Sequence, residues 1–428
     1  MEAGSPPADV SVEVPGDKSV THRAILLGLL ARGTTHILRP LRSEDTGRSL
    51  AVAQAFGAQV QESTAVLSIQ SGGIGALTEP ANVVDCGNSG TTMRLALGIA
   101  ALVPGLTVLS GDASLRRRPM ARVTAPLGEL GVEAWTRAGG SAPVAVRGGR
   151  VRGGRVVLPV ASAQVKSALL LAGLGADGPV TVEEPARTRD HTERMLAAQG
   201  IVVECDARVA TVHPGLPRPV TWTVPADPSS AAFWWAWAAL TGGRIVTDGI
   251  LLNPARTGFL RLLRRMGAEV EESVQAETVE PVGRVRVTGP ARLAGTSVDA
   301  SEVPTLVDEL PLAVVLMSRA SGRSKVSGAA ELRVKESDRI KAMGDALRAL
   351  GAAVRDCPDG WVVDGQDGLS GGRVDACGDH RIAMALAVAA SAARGPVILA
   401  GADTAGISYP AFFEAFAAAG AVRITEAS

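Results

Sequence analysis

Six glycines recur along this chain in one setting, each between a helix-like end and the start of a strand. They stand in FGAQV at Gly57, LGVEA at Gly131, QGIVV at Gly200, MGAEV at Gly267, LGAAV at Gly351 and AGAVR at Gly420. The spacings are 74, 69, 67, 84 and 69 residues, so six units of about 70 residues would fill the 428-residue chain. A fixed period of this size means a repeated supersecondary unit. A second series runs out of phase with the first. Apolar helices open near Lys18, Gly90, Gln164, Ser229, Glu309 and Arg381. They are expected to stop at Gly33, Gly105, Gly178, Gly242, Gly322 and Gly395, where glycine suits the left-handed position after a helix. AILLGLLA, LALGIAAL, ALLLAGLG, AAFWWAWAAL, LAVVLMS and AMALAVAA are apolar nearly all round, which predicts buried helices. LRRMGAEV and DALRALGAAV alternate charge with Leu and predict half-exposed ones. Short strands such as RVVLPV, WTVPA and RVRVTG separate them, which makes the chain α/β.

The length suggests two or three domains, and three of the six units precede Asp227. Residues 1–226 hold 22 basic and 19 acidic side chains against 21 and 24 in the remainder, which supports a boundary there. The 43 basic and 43 acidic residues cancel, which argues against a broad nucleic-acid or membrane footprint. No apolar run approaches the roughly 20 residues of a membrane span, and the N-terminal stretch lacks the pattern of a signal peptide. Cys86, Cys205, Cys357 and Cys377 lie far apart, which fits a reducing cytoplasm. The absence of coiled-coil heptads leaves a monomer as the expectation.

Polar residues gather at the openings of the apolar helices, where apolar ones would be cheaper to bury. PGDKSVTHR brings Lys18, Ser19, His22 and Arg23; DCGNSGTTMR brings Asn88, Ser89, Gly90 and Arg94. ASAQVKS brings Ser162, Gln164 and Lys166, and SLRRRPM holds three arginines, of which two read as solvated. A helix N-terminus offers unpaired N–H groups and partial positive charge, so it binds anions. Later, VDELP, RVKESDR and GDHR set Asp308, Glu309, Lys335, Glu336, Asp338, Arg339, Asp379, His380 and Arg381 near helix starts. Carboxylates among cations there can serve as general acid and base. PGDKS lacks the distal glycine of a P-loop, and GGIG at Gly72–Gly75 lacks the third glycine of a dinucleotide fingerprint. His191 and Glu193, two apart, do not share a helix face, which argues against a metal pair. What remains is acid–base and electrostatic chemistry on small polyanions, with no cofactor and no metal.

PGDKS-x-THRA, GNSGTTMR, RRRP, SAQVKSALLLAGL, TRDHTE, VDELP, LRVKESDR and GDHRIAMA follow one another across residues 15–386. Together they resemble 5-enolpyruvylshikimate-3-phosphate synthases, and PGDKS, SAQ-x-K and R-x-H-x-E are most similar to the class II branch. The resemblance implies two similar domains, each of three βαβαββ repeats: 16–226, and 1–15 with 227–428. It implies transfer of the enolpyruvyl group of phosphoenolpyruvate to the 5-hydroxyl of shikimate 3-phosphate, in aromatic amino acid biosynthesis, with closure of the lobes excluding water. Lys18, Ser19, Arg23, Ser162, Ala163, Gln164, Arg189, Asp308 and Lys335 are implied to hold shikimate 3-phosphate. Lys18, Gly90, Arg118, Gln164, Arg339 and Arg381 are implied to hold phosphoenolpyruvate. Asp308 would take the hydroxyl proton and Glu336 would protonate C3, with Lys18 a competing acid. Gly90 stands where glyphosate-insensitive members can carry Ala, which implies that glyphosate competes here.

The chain departs from the family at Ile407, where many members have Lys, and at Glu331, where some have Asn. It also reads Asn253-Pro254-Ala255-Arg256 where class II members often have Thr third. The related UDP-N-acetylglucosamine enolpyruvyl transferases usually carry a reactive Cys before the Arg-Pro of the second unit. This chain has GDASLRRRP there, with Cys86 earlier. A silent sugar-phosphate binding protein could lose Asp308 or Glu336, and both are present.

Overall fold

The computed structural model describes residues 1–425. The chain divides into two compact units, Gly16–Pro225, and Met1–Pro15 with the chain from Ala226 onward.

The Gly16–Pro225 unit contains three four-stranded sheets. In order across each sheet, the strands are Thr221–Thr223, Arg32–Leu38, Val66–Gly72, Gln59–Glu62; Val84–Asp85, Gly105–Ser110, Ser141–Gly148, Glu133–Arg137; and Gly154–Val157, Val180–Glu183, Val209–Val212, Val203–Asp206. In every sheet the first pair is parallel and the other two are antiparallel. A parallel pair needs a crossover, and in two of the sheets helices Gly90–Ala100 and Ala163–Gly173 supply it. Helix Lys18–Leu30 leads into the remaining sheet, that of Arg32–Leu38, whose parallel edge strand Thr221–Thr223 comes from the far end of the unit.

The other unit repeats the pattern in two four-stranded sheets. One runs Val10–Val12, Arg244–Leu251, Pro281–Thr288, Glu269–Glu277; the other runs Ser297–Val298, Arg323–Val326, Gly360–Asp364, Ala353–Cys357. Its last strands are the parallel pair Gly372–Asp375 with Val397–Ala400 and the antiparallel pair Glu2–Ala3 with Val422–Arg423. Met1 and Val397 exchange two hydrogen bonds, at 2.7 and 2.8 Å. The N-terminal tail thus supplies strands to this unit rather than to the one that follows it in sequence.

All six glycines of the first series have positive φ: 104° at Gly57, 80° at Gly131, 83° at Gly200, 96° at Gly267, 83° at Gly351 and 81° at Gly420. Each directly follows a helix cap residue, so a β-carbon there would be strained. The second series behaves differently. Only Gly242 caps its helix in the left-handed region, at φ 74°. Helix Lys18–Leu30 instead leaves through Ala31 in extended backbone, and Gly33 lies within the following strand. Helices Gly90–Ala100, Ala163–Gly173, Leu310–Ser318 and His380–Ala390 likewise end well before Gly105, Gly178, Gly322 and Gly395. These helices turn away or run straight into a strand, so no left-handed residue is required at their ends.

The helices read as apolar all round are buried along nearly their whole length. Around helix Pro228–Thr241, Phe233, Trp234, Trp237, Tyr409, Phe412, Phe413 and Phe416 pack mostly edge to face, with centroids 5.1–6.4 Å apart. Trp234 Nε1 donates to the Tyr409 hydroxyl at 3.3 Å. Among the described residues no helix is long and apolar enough to cross a membrane.

Candidate active site

In the Gly16–Pro225 unit, three buried helices begin at capped N-termini. Asp17, Ser89 and Ser162 accept from Val20, Thr92 and Val165 N–H groups at 2.8, 3.2 and 3.4 Å. Lys18 opens the first helix, and its Nζ lies 3.0 Å from Asp45 Oδ2. Arg23, one turn on, is buried and donates to the Ser19 carbonyl at 3.1 Å. Gly90 opens the second helix, and a β-carbon on it would lie 3.0 Å from Arg118 Nη1. Of the three adjacent arginines only Arg118 is buried; Arg116 and Arg117 are exposed. Arg118 Nη2 donates to Asn88 Oδ1 at 2.7 Å, so Asn88 orients an arginine while Ser89 caps the helix. Ser162 and Ala163 begin the third helix. Beside them Gln164 accepts from Arg94 Nη1 and donates to Thr91 Oγ1 at 2.8 Å. Arg189 lies in the segment before helix His191–Ala198.

His22 faces the interior. Burial holds its imidazole well below the ordinary range, and Lys18 and Arg23 push the same way. Its Nδ1 meets Ser49 Oγ at 2.8 Å, so it is a neutral core histidine. Lys166 is buried between Glu184 and Glu193, with its Nζ 2.7 Å from each carboxylate. Burial opposes the Lys166 charge, but the two carboxylates win and hold the ammonium above the usual lysine range. At Glu193 burial outweighs Lys166, and the carboxyl is pushed up.

In the other unit Arg339 is the centre. It is fully buried at the start of helix Arg339–Ala349. Its Nε lies 2.8 Å from Asp379, its Nη2 2.6 Å from Glu336 and its Nη1 3.5 Å from Asp308. These carboxylates, Asp379 foremost, raise its affinity for the proton against the cost of burial. The three differ in access. The Asp379 side chain is 0% exposed, Glu336 15% and Asp308 19%. Asp379 also caps helix His380–Ala390 through the Arg381 N–H at 2.9 Å, so it fixes Arg339 and Arg381 together. The Arg381 guanidinium is buried, with Nη1 3.5 Å from the Ser229 carbonyl. Burial pushes the Lys335 ammonium below the usual range, against the pull of Asp308 and Glu331. Asp227 repeats the Asp379 arrangement, capping helix Pro228–Thr241 and binding Arg256 Nη2 at 2.8 Å.

Asp45, Thr192 and Ser167 escaped the sequence reading, as did Arg256 as a partner of Asp227. Ser167, Thr192 and Arg256 lie within the quoted motifs SAQVKS, TRDHTE and Asn-Pro-Ala-Arg, but the side chains they meet lie in other segments of the chain. Their partners lie 27 to 169 residues away, a distance that local pattern cannot bridge. The one usable signal was polar residues at positions a buried helix would give to apolar ones. Ile407 is buried, so the place of the family lysine is used for packing here.

The EPSP synthase model, 3-phosphoshikimate 1-carboxyvinyltransferase, matches residues 4–416. The chain belongs to the EPSP synthase family. Its activity is therefore transfer of the enolpyruvyl group from phosphoenolpyruvate to shikimate 3-phosphate. A 3-phosphoshikimate 1-carboxyvinyltransferase of Herpetosiphon aurantiacus is 45% identical over 95% of this chain and 96% of its own length. One from a Synechococcus species is 48% identical over 94% and 92%. An EPSP synthase structure from Acinetobacter baumannii superposes with a TM-score of 0.86 at 37% identity, covering 98% of each chain. The EPSP synthase assignment agrees with the state of Cys86. Burial, then Asp85, pushes its thiol up to about 12, so it is no counterpart to the reactive cysteine of the UDP-sugar branch.

Proposed function

We propose that this EPSP synthase binds and activates its two substrates with the side-chain clusters described above. Ser19, Arg23, Ser162, Ala163, Gln164, Arg189, Asp308 and Lys335 hold shikimate 3-phosphate, and Lys18 serves both substrates. Gly90, Arg118, Gln164, Arg339 and Arg381 hold phosphoenolpyruvate. Arginine suits this role because its planar fork grips carboxylate and phosphate bidentately. Asp308 takes the proton of the 5-hydroxyl as it attacks C2, while Glu336 delivers a proton to C3. The tetrahedral adduct then expels phosphate as a proton leaves C3, restoring the double bond. Lys18 stays in the role of competing acid.

The observation that carries this reading is the graded access of the three carboxylates around Arg339. A carboxylate that is to exchange a proton with a substrate needs an open side, and a fully buried one has none. Here one anchors the arginine and two keep an open side.

The contact assignment is tested by kinetics. Arg118→Ala and Arg381→Ala should each raise the apparent KM for phosphoenolpyruvate by about tenfold or more, the loss of a charged hydrogen bond. The KM for shikimate 3-phosphate should change less. Equal effects on both substrates contradict the assignment.

Glyphosate should compete with phosphoenolpyruvate, because Gly90 leaves room beside Arg118. In Gly90→Ala the new methyl presses on Arg118 Nη1 from 3.0 Å, and inhibition should weaken. Absence of competition at millimolar glyphosate in the native enzyme ends this part of the reading.

The class II motifs support placement in that branch. Five sheets of identical strand order support six βαβαββ repeats, three in each of two domains, with boundaries at 15/16 and 226/227. The reading includes a monomer in the cytoplasm.

A further inference from the structure

Arg23 is held by two buried hydroxyls whose proton directions are fixed by chemistry. Its Nε lies 2.7 Å from Thr192 Oγ1, and its Nη2 lies 2.9 Å from Ser167 Oγ. The two hydroxyls are 2.7 Å apart. Ser167 Oγ donates to the Ala163 carbonyl at 2.6 Å. A hydroxyl carries one hydrogen, so Ser167 must accept from both Arg23 and Thr192. Thr192 then spends its hydrogen on Ser167 and accepts from Arg23 Nε. The relay runs one way, from the guanidinium through Thr192 and Ser167 to the first turn of helix Ala163–Gly173.

The next residues in sequence lock the relay in place. Lys166, beside Ser167, pairs with Glu193, beside Thr192, at 2.7 Å. Positions 166 and 167 of one helix therefore engage positions 192 and 193 of another. Ser167 and Thr192 are each 1% exposed and Arg23 3%. Each hydroxyl is hydrogen-bonded at this depth, and a fully satisfied buried network rigidifies the groups it joins.

We propose that Thr192 and Ser167 are positioning residues that aim the Arg23 guanidinium at shikimate 3-phosphate. They register it against the Ser162–Gln164 turn that takes the same substrate. This rests on the reading of Arg23 given above. Neither hydroxyl touches substrate; both act through the arginine.

Steady-state kinetics of the full-length enzyme tests it. Thr192→Val keeps the shape and removes the acceptor. It should raise the KM for shikimate 3-phosphate about ten- to a hundredfold, the loss of a hydrogen bond to a charged group. The KM for phosphoenolpyruvate should move less than about twofold. Thr192→Ser, which restores the acceptor, should return the shikimate 3-phosphate KM to within about threefold of native. Should Thr192→Val fold poorly, Ser167→Ala with calorimetric titration of shikimate 3-phosphate gives the same comparison. An unchanged KM for shikimate 3-phosphate, equal shifts for both substrates, or failure of the Ser variant to rescue would overturn the proposal. Arg23→Lys separates the two claims. If it leaves the shikimate 3-phosphate KM unchanged, the reading of Arg23 itself fails. If it raises that KM while Thr192→Val does not, only the positioning role fails.

Discussion

Glu336→Gln should lower turnover by about two to four orders of magnitude, the usual worth of a positioned acid or base, while the enzyme stays folded. Gln keeps an oxygen for Arg339 Nη2, which Glu336 meets at 2.6 Å, but has no proton of carboxylic acidity to give. Arg339 keeps its contacts with Asp379 and Asp308, so the buried charge stays compensated. Asp308→Ala should lose turnover on the same scale, because no neutral side chain there can take the hydroxyl proton. The two differ in one readout. Deuterium from solvent should no longer enter C3 in the Glu336 variant if that carboxyl is the donor. Rapid-quench turnover and Tm together make the measurement. Near-normal turnover in both variants, with Tm unchanged, would remove them as the acid–base pair and leave Lys18 as the remaining acid.

Lys166→Met should strongly destabilise the Gly16–Pro225 unit. It removes the ammonium that lies 2.7 Å from both Glu184 and Glu193, each almost fully buried. Breaking a buried pair by removing one partner costs about 3–5 kcal/mol. For a unit of this size that is a fall in Tm of roughly 6–20 °C. The effect should depend on pH with a definite sign. Glu193, which burial already pushes up, loses the ammonium that lowers it, so its folded-state pKa rises further above the unfolded value of about 4.3. A group raised in this way contributes most below its unfolded pKa, and that contribution is lost as pH rises. The deficit relative to native should therefore be largest near pH 7 and shrink toward pH 4. Urea unfolding at both pH values tests this. A variant within about 1 kcal/mol of native at pH 7 would show that the triad contributes little.

The two glycine series show where sequence reasoning holds and where it slips. Gly57 and its five counterparts were legible because a left-handed residue after an amphipathic helix is a local demand, met by one residue type. Gly33 and Gly105 look the same in sequence, yet they lie within strands at φ 129° and 123°. Helix exit there is set by the strand that follows, which no four-residue window contains. The site divides in the same way. Lys18, Gly90, Ser162 and Arg381 were visible because polar residues at the head of an apolar helix are anomalous within a single segment. The roles of Asp45, Thr192 and Ser167 were invisible because their meaning lies in a distant partner.

Composition, periodicity and motif order by themselves determined an α/β chain of repeated units, its buried helices and the family chemistry of small phosphorylated substrates. These depend on interactions among residues a few positions apart, where backbone geometry leaves few choices. The family resemblance already implied that residues 1–15 go with the later part of the chain, but only the tertiary structure gave their strand partners near residues 245, 397 and 422. It alone set Arg339 between Asp308, Glu336 and Asp379 and gave those carboxylates different access. The reason is that a charge buried in protein takes its character from whatever packing brings within a few ångströms, and packing joins residues that sequence holds far apart.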